Sequence, residues 1–216
     1  MDVFNEIFRA LQIGNAKLVE TKTREAVDSG FEPEEILNKA LIASMEELGI
    51  KFRDGEVFLP EVMMAARAMQ AAMAILKPKL IETGIKPIGK AVVGTVKGDQ
   101  HDIGKNLVAM MMMGSGIEVV DLGTDVPPEK FVNAVREQEA QIIALSALLT
   151  TTMPQQAQVI EALKKAGIRE KVKVMVGGAP VSESFANEIG ADAYTPDAGS
   201  AAQKAKELIL KQARKD

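Results

Sequence analysis

Across residues 1–82 apolar side chains return at three- and four-residue steps: Val3, Ile7 and Leu11, then Ile36, Leu37, Ala40, Leu41, Met45 and Leu48, then Val62, Met63, Ala66, Met69, Met73 and Leu76. That recurrence predicts helices, each with one stripe to bury. Gly14, Gly30 and Gly49 punctuate the run, and Pro33 and Pro60 stand where a first helical position is expected, which has no use for an amide donor. Four antiparallel helices on short loops can bury such stripes against one another, so the segment predicts a small bundle.

Beyond the turn-rich Thr83–Gly89 the pattern changes. Strand-like runs at Lys90 to Val96, Ile117 to Leu122, Ile142 to Ser146 and Val172 to Val176 alternate with helical segments near 103–114, 128–139, 153–166, 182–189 and 199–214. Continuous apolar strands separated by helices predict a parallel sheet covered on both faces. The expected fold is therefore α/β: a four-helix bundle over 1–88, then a flavodoxin-like, doubly wound domain of Rossmann type over 89–216. Ligands on such sheets sit beyond the carboxyl ends of the strands, and His101, Ser146 and Gly177 all fall at or just after predicted strand ends. They should converge in space.

Composition narrows the chemistry. With 216 residues, 47% apolar and 26% charged, the chain is long enough for one large or two small cores. It has no cysteine and a single histidine, which excludes disulfides, thiolate metal sites, iron–sulfur ligation and any multi-histidine centre. A transition metal must arrive with most of its ligands in place. The net charge of −4 divides as −3 over 1–88 and −1 over 89–216, so neither half matches nucleic acid. Only Lys204 to Lys215 is locally basic, as suits a helix C-terminus. The amino terminus lacks a basic segment followed by an apolar core, and no apolar run reads as long enough to span a membrane, so a cytoplasmic protein without a membrane partner is expected.

The lone His101 lies in Asp99-Gln100-His101-Asp102-Ile103-Gly104, where a strand gives way to a helix. A carboxylate two residues before an imidazole can hold one ring nitrogen while the other meets a metal. A loop histidine with a structural partner is the plainer alternative. Ser146-Ala147-Leu148 follows Gly104 with 41 residues between, and Gly177-Gly178 follows Leu148 with 28 residues between. The run Met110 to Met113 reads as gap-filling core, and neither Lys97-Gly98-Asp99 nor Gly104-Lys105-Asn106 completes a phosphate-binding loop.

The D-x-H-x-x-G, S-x-L and G-G series at this spacing resembles the corrinoid-binding domain of cobalamin-dependent methyltransferases and isomerases. The upstream run Phe52-Arg53-Asp54-Gly55-Glu56-Val57-Phe58-Leu59-Pro60-Glu61-Val62 resembles the helical cap of the methyltransferase branch. The resemblance implies cobalamin or a related corrinoid bound base-off/His-on, with His101 as lower axial ligand of cobalt, Asp99 accepting its other ring proton, and Thr152 standing where relatives carry a relay serine. It further implies that Gly98, Asp102, Ile103, Gly104, Ser146, Leu148, Thr150, Gly177 and Gly178 line the cofactor and its nucleotide tail. Phe52, Leu59 and Val62 match cap residues that shield the reactive face, although Val62 also lies on the apolar stripe of its helix.

The function implied is that of a carrier, moving a methyl group on cobalt from a substrate-specific methyltransferase to a second methyltransferase acting on tetrahydrofolate or coenzyme M, with a reductive activase as a further partner. The chain has no room for a substrate barrel, so it is expected to act as a carrier subunit and not as a complete enzyme. The alternative is a cobalamin-dependent sensor, a class that usually adds an effector segment. An isomerase subunit is disfavoured because that branch lacks this cap.

Overall fold

The computed structural model describes residues 2–213. These form two compact units that divide between Pro87 and Ile88, with Gly114–Gly116 grouping with the first.

The first unit is helical. Asp2 and Asn15 accept from the amides of Phe4 and Leu18 and so cap α1 (Val3–Gln12) and α2 (Ala16–Asp28). Pro33 opens a continuous rod made of α3 (Pro33–Glu35), a π-helical segment Ile36–Ile42 and α4 (Ala43–Arg53). The wider π turn puts Ile36 and Leu41, five residues apart, into the core together. Gly49 does not punctuate this rod: it is buried inside α4, and the break falls at Gly55, where a positive φ of 76° turns the chain.

The fourth helix, α5 (Leu59–Glu82), carries Pro60 one position later than expected, and the Glu61 carboxylate accepts from the Phe58 amide at 2.7 Å. Its buried face includes Ala65, Ala68 and Ala72 between Val62 and Leu76, whereas Met63 is exposed. Each fully buried Leu or Ile in these stripes contributes about 1.5–3 kcal/mol relative to exposure. By length and composition alone α5 could cross a membrane, which corrects the expectation that no run is long enough. Alanine and methionine between widely spaced charges make it so, and the core helix of a bundle meets the same test.

The second unit is a five-stranded parallel sheet in the order β2-β1-β3-β4-β5, built from β1 (Gly89–Thr95), β2 (Ile117–Asp121), β3 (Ile142–Ser146), β4 (Lys173–Gly177) and β5 (Ala193–Tyr194). The connecting helices are α6 (Ile103–Gly114), α7 (Pro128–Gln138), α8 (Pro154–Lys165) and α9 (Glu183–Ile189), and α10 (Ala198–Gln212) follows β5. The last predicted helix reached 214, which lies outside the described residues, as does Lys215 of the basic end. Val92, Ile143 and Val174 are fully buried on neighbouring strands, with Phe131, Ile160 and Leu163 against them, as a sheet covered on both faces requires. Met111 and Met112 are core residues, while Met113 is exposed. The strand order is flavodoxin-like, and its direction of winding reverses between β1 and β3. That switch point positions the site.

Candidate functional site

Two loops leave the switch point, one from β1 to α6 and one from β3 to α8, and a single carboxylate joins them. Asp99 has no solvent exposure. Its Oδ1 accepts from the His101 backbone amide at 3.0 Å and lies 2.7 Å from His101 Nδ1. Its Oδ2 accepts from the Leu148 amide at 2.7 Å and from the Thr152 hydroxyl at 2.6 Å. Burial pushes the Asp99 carboxyl upward, but the Thr152 hydroxyl, the amides of His101 and Leu148 and the imidazole together outweigh it and hold it well below the usual carboxylate range.

His101 is correspondingly oriented. With Nδ1 committed to Asp99 and the Thr95 hydroxyl donating to its carbonyl at 2.8 Å, the ring has Nε2 free, and its side chain is half exposed. In the same stretches of chain Ile103 is 69% and Leu148 and Leu149 each 42% exposed. Among the described residues no three His, Cys, Asp or Glu side chains gather to hold a bare ion. One fixed, solvent-facing imidazole suits a metal that brings its own equatorial ligands.

The glycines separate into two kinds. A Cβ on Gly178 would stand 1.8 Å from the Ala147 carbonyl oxygen, and its φ is 123°, so the fold itself demands glycine there. Gly98, at φ 81°, turns the chain into the Asp99 loop. A Cβ on Gly104 would meet no other part of the chain within 4 Å, and one on Gly177 only the Thr195 carbonyl at 3.8 Å, so a side chain could be built at either. Ser146 ends β3, paired in register with Thr95 and Gly177, and Thr150 and Asp102 are exposed. In the helical unit Phe52 and Leu59 are partly exposed and Val62 is fully buried.

Several contributors escaped the sequence reading. Thr95 ends β1 and looks like an ordinary strand residue. Gln156, in the first turn of α8, donates through Nε2 to the carbonyls of Leu145 and Gly177, both at 3.0 Å, and so ties the ends of β3 and β4 together. Lys105, nearly buried, pairs with Asp121 and Asn106, and Asn106 in turn donates to Asp102.

Residues 89–205 match the family model described as a B12 binding domain, and residues 3–77 match a second model of the same description. The chain belongs to the B12-binding protein family. Its cofactor is a corrinoid, and the residues just described fit one. Among the relatives of this family, the chain is 49% identical over 186 residues to dimethylamine corrinoid protein 1 of Methanosarcina acetivorans, covering 86% of this chain and 87% of that one. It is 46% identical over 195 residues to the trimethylamine corrinoid protein of Methanosarcina barkeri, covering 89% and 90%. The crystal structure of the methanol:cobalamin methyltransferase complex from Methanosarcina barkeri superposes with a TM-score of 0.87 at 32% identity, over 97% of this chain and 80% of that one. These likenesses support a methyl-carrying corrinoid protein.

Proposed function

We propose that the chain carries a methyl group on a base-off corrinoid ligated by His101, taking it from a methyltransferase specific for a methylated amine and yielding it to a second methyltransferase that acts on tetrahydrofolate or coenzyme M. The corrinoid, when bound, supplies a cobalt centre that accepts and gives up methyl groups. His101 Nε2 is the axial donor. Asp99 fixes the ring through Nδ1 and raises its basicity, and Thr152 holds the far oxygen of that carboxylate. Ser146, Leu148, Thr150, Gly104 and Gly177 would receive the nucleotide tail, with Asp102 and Ile103 at the mouth. Gly98 and Gly178 shape the backbone around it.

In this reading residues 1–88 are the cap domain and 89–216 the cofactor domain, and Phe52 and Leu59 exclude water from the bound cofactor. A reductive activase restores centres lost to oxidation. The amine class rests on the names of the relatives alone. The observation that carries the proposal is the buried Asp99, whose four hydrogen bonds leave one imidazole nitrogen free. The test is spectroscopy of the cobalt(II) form, in which nitrogen superhyperfine coupling is expected in wild type and lost in His101→Ala. Persistence of that signal unchanged in the variant would remove His101 as ligand.

A further inference from the structure

The loop after β2 contains a residue that the corrinoid reading does not use. Asp125 has a left-handed backbone, φ 53°, one of only two non-glycine residues with positive φ among those described. Aspartate and asparagine tolerate that conformation better than other side chains, but it still needs surroundings that enforce it. Here the enforcement is reciprocal. The Asp125 amide donates to the Asp99 carbonyl at 2.9 Å, while the Asp125 carboxylate accepts from the Gly98 amide at 2.7 Å. One residue therefore grips two consecutive residues of the histidine loop, at the point where Gly98 is itself left-handed with φ 81°.

The neighbours keep Asp125 in register. The Thr95 amide donates to the Gly123 carbonyl and the Val126 amide to the Thr95 carbonyl, each at 3.0 Å, and Val96 and Val126 form a parallel bridge. Thr124 adds a hydroxyl bond to Gln100 Oε1 at 3.0 Å. The segment from Gly123 to Val126 thus runs alongside the end of β1 as an outer splint. Asp99 is held on its side-chain oxygens by residues of two loops and on its backbone by Asp125.

We propose that Asp125 is a positioning residue for axial ligation: its carboxylate and amide clamp Gly98 and Asp99 so that His101 is presented in one orientation before the corrinoid arrives. The proposal rests on ligation by His101. It predicts that acceptor geometry, more than charge, is what matters, since asparagine also offers an Oδ1 and also accepts a left-handed backbone.

The test compares Asp125→Asn, Asp125→Ala and Asp125→Gly with wild type in three measurements. These are amide hydrogen exchange at Gly98 in the apo protein, the fraction of the cobalt(II) form showing nitrogen superhyperfine coupling, and the affinity for cob(II)alamin. Asp125→Asn should stay close to wild type. Asp125→Ala should lose Gly98 protection, lower the ligated fraction and weaken binding roughly tenfold. Asp125→Gly relieves the backbone strain, so it guards against misfolding, yet it should follow alanine in all three. Full ligation in alanine or glycine, or an asparagine variant as impaired as alanine, overturns the proposal. A wild-type protein without nitrogen coupling would instead overturn ligation by His101, and apo exchange at Gly98 would still decide the clamp.

Discussion

Replacing Thr152 by valine removes one hydroxyl from the most heavily bonded carboxylate of the site and leaves a side chain of nearly the same shape. The Thr152 hydroxyl has a single proton and two acceptors in reach, Asp99 Oδ2 at 2.6 Å and the Leu149 carbonyl at 3.0 Å. The shorter contact to a charged oxygen takes it, because the Leu149 carbonyl is already served by the Met153 amide at 2.9 Å. A hydrogen bond to a charged group is worth about 1.5–3 kcal/mol, and Asp99 Oδ2 keeps the Leu148 amide, so a loss of about 2 kcal/mol is expected. Thr152→Ser, which keeps the hydroxyl and deletes a methyl, should cost only about 0.8 kcal/mol.

The dependence on pH follows from the lowered carboxyl of Asp99. A group depressed in the folded state contributes stability that is present above its unfolded value, about 3.9, and is lost as pH falls through the folded value. Valine moves the folded value back up. The difference between wild type and Thr152→Val should therefore be full at neutral pH and shrink in acid. Urea unfolding of the apo protein, followed by tyrosine emission, reads it cleanly: the chain has no tryptophan and one tyrosine, Tyr194, which lies in β5 of the sheet unit. Equal urea midpoints for wild type and Thr152→Val at pH 7, or a serine variant as unstable as valine, would refute the assignment of the proton to Asp99.

Gly178→Val should unfold or strongly destabilise the sheet unit, because its Cβ would overlap the Ala147 carbonyl, while Gly177→Val should keep its melting transition and fail to load corrinoid; full loading of Gly177→Val would displace the proposed tail channel. Asp99→Asn should leave some corrinoid bound yet reduce histidine ligation, checked by the same cobalt(II) spectra as His101→Ala. Phe52→Ala or Leu59→Ala should speed photolysis of the alkylated cofactor with little change in affinity, and photolysis rates equal to wild type would return both side chains to a packing role.

Much of this architecture is legible because period and punctuation agree. The β3 strand begins and ends at Ile142 and Ser146 as its apolar run predicts, and α6 spans 103–114 because His101-Asp102 and Gly114-Ser115-Gly116 bound it. Two-residue β5 is invisible, since Ala193–Tyr194 carries no alternation and pairs only at the sheet edge. Gly49 misleads because burial inside a helix and a helix break look alike in sequence. The site shows the same division. Asp99 and His101 are two residues apart and easy to pair, and Thr152 follows from its resemblance, but Asp125 acts through a left-handed backbone that no residue pattern announces. Gly178 is glycine for a steric reason set by Ala147, 31 positions away in the chain, which only the folded backbone reveals.

The two oxygens of Asp99 serve different masters: Oδ1 belongs to the histidine loop and Oδ2 to the Leu148–Thr152 loop. Proton demand at one is felt at the other, and equilibrium coupling of this kind is reciprocal. Under the proposed ligation by His101, a change at the Leu148 amide or the Thr152 hydroxyl would alter how strongly the imidazole donates, and a change of ligation would alter the hold on that loop by the same factor. On that proposal the carboxylate would be a two-way lever, joining the state of a metal held by the imidazole to the set of the Leu148–Thr152 loop.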